Sequence, residues 1–219
     1  MYREVVDMGK LPPGLSPQER RVLAALGVLG GMRRVCLRRL LEAPALRRLV
    51  GAGAVRLGPV CLLTPLGRAW ASQLRGGVPQ PPTQSAHALA VADAYAALEE
   101  AHRQGRIPAF FWLPPREAGR LLALGRRDAP VVLPDAGLDA FGRAPCFLEV
   151  DRATESARRL AAKFAAYALA LPDVPGSLLL LTPPSRQALA TKLLAPHRFP
   201  WRVVSSPAEL ADAWSMMPT

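Results

Sequence analysis

Asparagine is absent from this 219-residue chain and lysine nearly so: of 28 basic residues only Lys10, Lys163 and Lys192 are lysine, which leaves 25 arginines. With 23 prolines, that bias fits arginine-rich coding from a high-GC source. No apolar run approaches the roughly 20 residues of a membrane span, and the start, MYREVVDMGK, has no signal-peptide core. A cytoplasmic chain with no membrane partner is therefore expected. Cys36, Cys61 and Cys146 form no CxxC pair and each has apolar neighbours, which argues for buried thiols and against a disulfide framework or a zinc site. No Walker loop, GxSxG elbow, HExxH or dinucleotide fingerprint is present, which removes the chemistries those motifs carry.

What remains is ample core and unevenly placed charge. A hydrophobic fraction of 50% excludes disorder, and the length allows one large or two small domains. Residues 1–76 hold 13 basic against four acidic residues, a net +9, whereas residues 77–219 hold 15 against 13, a net +2. A compact basic domain is the electrostatic footprint of a nucleic-acid binder.

The first 76 residues read as three short helices, a hairpin and a closing helix. Ser16, Pro17 and Glu19 supply a side-chain cap, a first-turn proline and the acid of a capping box. Val22, Leu23, Leu26 and Leu29 then form one apolar face up to Gly30-Gly31. Further helices fit Val35 to Leu41 and Pro44 to Val50, two strands fit 54–57 and 60–63, and Thr64-Pro65 opens another helix. That order predicts a winged helix-turn-helix. Its third helix would enter the major groove, so Arg47 and Arg48, with Arg38 and Arg39 on the preceding helix and Arg56 at the wing, are the candidate contacts to double-stranded DNA.

Gly76 to Ala86, GGVPQPPTQSA, reads as a Gly/Pro-rich linker, placing the domains at 1–76 and 87–219 with 77–86 between them. Beyond it the pattern gives a helix at 87–103, strand 109–113, helix 115–124, strands 131–133 and 146–150, helix 154–171, strand 177–181, helix 185–194, strand 201–204 and a helix from Pro207. The fold class is α/β, or α+β for the chain as a whole.

The strands at 131–133 and 146–150 flank Gly137, Gly142 and Pro145 and read as an antiparallel hairpin. A turn centred near Gly142 sets Asp135 opposite Glu149. Opposed side chains have Cβ atoms about 4.5 to 5.5 Å apart, and like charges there are destabilising, so a cation between them is expected. Mg²⁺ fits, since it takes one or two carboxylates and keeps several waters. Strand alternation puts Asp151 on the face of Glu149, so three acids are expected to converge. The next segment reads as an amphipathic helix carrying Leu160, Phe164 and Tyr167, with Thr154 as its cap. Lys163 lies on that helix. An ammonium is a compact charge of adjustable pKa, suited to orienting a metal-bound water where a guanidinium is not.

These residues resemble the PD-(D/E)xK nuclease superfamily: Pro134-Asp135-Ala136 looks like the PD element and Glu149-Val150-Asp151 like the (D/E)x element. More narrowly, PDA, LEVDRATES and KFAAY look like the replication-relaxation family of plasmid-associated proteins with an N-terminal winged helix. The resemblance implies a restriction-endonuclease-like second domain with Asp135, Glu149 and Lys163 as catalytic residues and Asp135, Glu149 and the carbonyl of Val150 as ligands of Mg²⁺ or Mn²⁺, to which strand alternation adds Asp151 as a third acidic ligand. The chain departs from the pattern at one place: Asp151 stands where the superfamily has its lysine, so Lys163 has to supply that group from the following helix.

Two functions follow from this reading. One is a DNA-binding protein of a plasmid or mobile element whose second domain nicks or relaxes DNA with a divalent metal. The other is a non-catalytic regulator of transcription or copy number, in which the degenerate nuclease-like domain mediates dimerisation, giving a homodimer, or binds a partner. Glu99 or Glu100 is a further candidate for the metal site, and His87 a candidate neighbour of the acids. The histidines His87, His102 and His197 contain no pair one residue apart, which excludes the metal-holding pair of a relaxase that attacks with tyrosine.

Overall fold

The structure is a computed structural model, and it describes residues 11, 14–76, 78–123 and 132–218. Contacts divide the chain into two units, Met1–Ala96 and Ala97–Thr219. The division falls inside a helix rather than in the Gly/Pro-rich segment, and that segment belongs to the first unit.

In the first unit, α1 (Pro17–Leu29) starts with both bonds of the capping box: Glu19 N donates to Ser16 Oγ at 3.2 Å and Ser16 N to Glu19 Oε2 at 2.8 Å. It ends at Gly30, whose φ of 70° no other residue adopts without strain. Then come β1 (Met32–Arg33), α2 (Arg34–Leu40), α3 (Ala43–Gly51), β2 (Val55–Arg56), β3 (Val60–Leu63) and α4 (Pro65–Arg75). The strands form an antiparallel sheet in the order β1-β3-β2. Strand β1 was not expected, because two residues are too few to show alternation. Leu23, Leu26, Met32, Leu37, Leu40 and Leu49 are fully buried and form the core. The order of helices and hairpin strands follows the order expected from the sequence, with β1 added. Segment 78–85 runs along the end of α1, with Gln80 N donating to Gly27 O at 2.7 Å and Thr83 N to Gly30 O at 3.1 Å.

Helix α5 (Ala86–Arg103) carries the division between the units. The second unit continues with β4 (Phe111–Leu113), α6 (Pro115–Leu122), β5 (Ala136–Asp139), β6 (Cys146–Val150), α7 (Ala157–Ala170), β7 (Ser177–Leu181), α8 (Pro184–Leu194), β8 (Trp201–Val204) and α9 (Leu210–Ser215). Among the described residues the strands form one sheet in the order β4-β5-β6-β7-β8, antiparallel from β4 to β6 and parallel from β6 to β8. The central strands β6 and β7 are buried at every position. Phe147, Leu178 and Leu180 pack with Leu160, Phe164 and Tyr167 of α7 and with Ala190 and Leu194 of α8.

Two local expectations are corrected. The first hairpin strand is 136–139, not 131–133; Val131 lies outside the described residues, and Val132 and Leu133 are not in a strand. Pro134 lacks the N–H a ladder needs. Gly137, read as a turn residue, is in the strand, where a Cβ would press on Ala118 and Leu113 at 3.2 and 3.3 Å. Helix α7 is capped by Ser156, whose hydroxyl accepts from Arg159 N at 3.3 Å, rather than by Thr154. The three cysteines are unbridged and buried. Among the described residues, no helix is long and apolar enough to cross a membrane.

Candidate functional site

The hairpin register is the expected one. Ala136 pairs with Leu148, Gly137 with Phe147 and Leu138 with Cys146, so the next step outward sets Asp135 opposite Glu149. The turn closes through Arg143 N to Ala140 O at 3.1 Å with Gly142 at φ 75°. Alternation along β6 then aims Glu149, like Phe147, at α7. Residues four apart share a helix face, which brings Lys163 and Tyr167 together over that carboxylate. Lys163 Nζ lies 2.9 Å from Glu149 Oε2 and 3.5 Å from Glu155 Oε1. Tyr167 Oη donates to Glu149 Oε1 at 2.7 Å. Asp135 Oδ2 accepts from Val150 N at 2.8 Å. Asp135, Glu149 and Lys163, separated by up to 28 residues, therefore form one cluster.

Glu149 is 2% exposed. Burial first, and the charge of Asp135 second, push its carboxyl up from the usual range to about 7, against the pull of Lys163 and of the Tyr167 hydroxyl. For Lys163, burial works to lower the pKa, but the Glu149 charge and hydrogen bond outweigh it and the net shift is upward. The Tyr167 phenol is held far above its ordinary value by burial and by Glu149.

Asp151 takes another role. It lies on the face of Glu149, as alternation requires, but its Oδ2 accepts from Thr182 Oγ1 at 3.0 Å and lies 2.7 Å from Arg186 Nε, while its Oδ1 accepts from Ala153 N at 2.8 Å. The expected convergence of three acids is thus divided into two ion clusters, each with its own cation. Both Glu149 oxygens are engaged, Asp151 is paired, and Lys163 supplies the positive charge that the facing carboxylates need. Among the described residues, no group of three or more His, Cys, Asp or Glu is placed to hold a metal ion. As placed, these side chains do not fit Mg²⁺ or Mn²⁺. Glu99 is buried and Glu100 half-buried on α5, and His87 is exposed at its start.

Sequence reasoning assigned Tyr167 to packing alone and passed over Glu155, Thr182 and Arg186. Tyr167 follows Lys163 by one helical turn, and the parallel pairing of Val150 with Leu181 carries on to set Asp151 beside Thr182. Arg143 caps another element: its Nη2 donates to the Trp214 and Met217 carbonyls at 2.9 and 3.0 Å.

In the first unit Arg38, Arg39, Arg47, Arg48 and Arg56 are all exposed. Arg48 is also tied inward: its Nη2 and Nε lie 3.0 and 3.1 Å from Oε1 of Glu19, a fully buried carboxylate. Arg33 Nε lies 3.0 Å from Asp93 Oδ2, and Cys36 Sγ donates to Asp93 Oδ1 at 3.1 Å.

The family model described as Replication-relaxation matches residues 17–170, more than half of the chain. No curated protein and no solved structure matches.

Proposed function

The chain belongs to the replication-relaxation family, and from that premise we propose that it is a DNA-binding protein of a plasmid or other mobile element, acting in DNA replication or relaxation. The first unit, as a winged helix-turn-helix, holds duplex DNA through the arginines of α2, α3 and the wing. The second unit is a PD-(D/E)xK-derived scaffold that regulates by dimerising or by binding a partner rather than by cutting. One observation carries the second statement: the carboxylates a nuclease would give to a metal are closed by protein groups, Glu149 by Lys163 and Tyr167, and Asp151 by Arg186 and Thr182. Asp151, in the superfamily's lysine position, is thereby put to structural use.

A second reading, divalent-metal hydrolysis that nicks supercoiled plasmid, is favoured by the meeting of Asp135, Glu149 and Lys163 in one cluster. It requires Lys163 and Tyr167 to release Glu149.

Incubation of the full-length protein with supercoiled plasmid and Mg²⁺ or Mn²⁺ separates the two. The proposal expects retarded but intact supercoils with wild type and with Glu149→Ala alike. Metal-dependent conversion to open circles by wild type, lost in Glu149→Ala, would establish the hydrolytic reading instead.

A further inference from the structure

Arg48 is gripped from one side, by a carboxylate that is itself fully buried. The fully buried Glu19 carboxylate uses Oε2 to accept the Ser16 N–H at 2.8 Å and Oε1 to accept Arg48 Nε and Nη2 at 3.1 and 3.0 Å. The Nε/Nη2 edge of the guanidinium is thus occupied, while the side chain as a whole remains 60% exposed. Its other edge, Nη1 with the second N–H of Nη2, is directed away from the carboxylate. That edge is a planar two-donor fork of the kind that reads guanine O6 and N7 in the major groove.

A free arginine loses rotamer freedom when it docks on a base edge, and a guanidinium already held in place loses less. The anchor itself is rigid. Glu19 sits in the first turn of α1, fixed by the capping box, and the neighbouring Gln18 donates through Nε2 to Leu40 O at the end of α2. The start of α1 is thereby bonded both to α2 and to α3. Arg47, the adjacent residue on α3, is exposed and has no such bond to Glu19.

Resting on the DNA-binding reading above, we infer that Glu19 is a positioning residue for recognition: it holds one edge of Arg48 so that the other edge reads a single base pair. The remaining arginines contact phosphates and add affinity without sequence preference.

The test is a selection by the full-length protein from a pool of randomised duplexes, with sequencing of the bound fraction. Wild type is compared with Glu19→Gln, Arg48→Gln, Arg48→Lys and Arg47→Gln, each checked for folding by its melting curve. The expected result is a base preference that both Arg48 variants reduce roughly tenfold or more at one base pair. Glu19→Gln reduces it at that same base pair although Arg48 is intact, and Arg47→Gln weakens all sequences together. Arg48→Lys keeps the charge and the salt dependence, and it carries the test should Glu19→Gln fail to fold. A wild type that binds all sequences alike, Glu19→Gln or Arg48→Lys retaining the full preference, or a loss spread evenly over all sequences overturns this inference alone. A wild type that retains no duplex overturns the DNA-binding reading and this inference with it.

Discussion

Glu149 is the residue on which the second unit's chemistry turns, because its folded pKa of about 7 lies above the ordinary 4.5. The sign follows from linkage. A carboxyl raised on folding binds its proton more tightly in the native state, so its contribution is fully present below about 4.5 and is lost as pH rises through about 7. At about 1.4 kcal/mol per unit, the loss is on the order of 3 kcal/mol. Thermal melts between pH 5 and pH 8 are expected to show wild type losing stability across this window, while Glu149→Gln, which keeps the shape and cannot ionise, loses much less. Equal slopes for the two proteins would mean that Glu149 is already ionised throughout, held so by Lys163. The scarcity of lysine drew attention to Lys163, which lies 2.9 Å from Glu149 Oε2. The Tyr167 hydroxyl was missed because a tyrosine at core spacing gives no sequence sign that its polar end also has a partner.

Elements were legible wherever capping or periodicity was complete. The capping box of Ser16 and Glu19, the Thr64 cap and strands β7 and β8 all follow from local chemistry. The hairpin register was legible too, since the turn at Gly142 fixes which residues face each other, even though the strand itself was misplaced by several residues. The misplacement has a physical cause: Gly137 serves close packing against α6 rather than a turn, and sequence alone does not separate those two uses of glycine. A similar close approach governs α4. The helix entry at Thr64 is secured by Gly67 N donating to Thr64 Oγ1 at 3.1 Å, and a Cβ at Gly67 would run into the Ala54 carbonyl. Backbone cannot swing aside as a side chain does. Gly67→Ala is therefore expected to destabilise the first unit by about 2 kcal/mol or more despite the better helix propensity of alanine, read as a fall in denaturation midpoint. Unchanged or increased stability would contradict the packing described for α4.

On the scale of the whole molecule, charge asymmetry carries the functional argument. The basic excess was visible in composition, and the structure places all five candidate arginines of residues 1–76 at the surface. The partner remained illegible in the second unit. There, alternation brought Asp151 to the face of Glu149, but the arginine that claims it comes from α8, 35 residues later, through a parallel strand pairing that local pattern does not reveal. The account's central claim, that this protein grips duplex DNA through the arginines of α2, α3 and the wing, is tested most directly by equilibrium binding of the full-length chain to a short duplex across a series of salt concentrations. Four arginines on phosphates, with Arg48 on a base, predict a plot of log K against log salt that falls with a slope of about −4, reduced by about one unit in Arg47→Gln. Absence of binding at low salt, or binding that salt leaves unchanged, would contradict the claim.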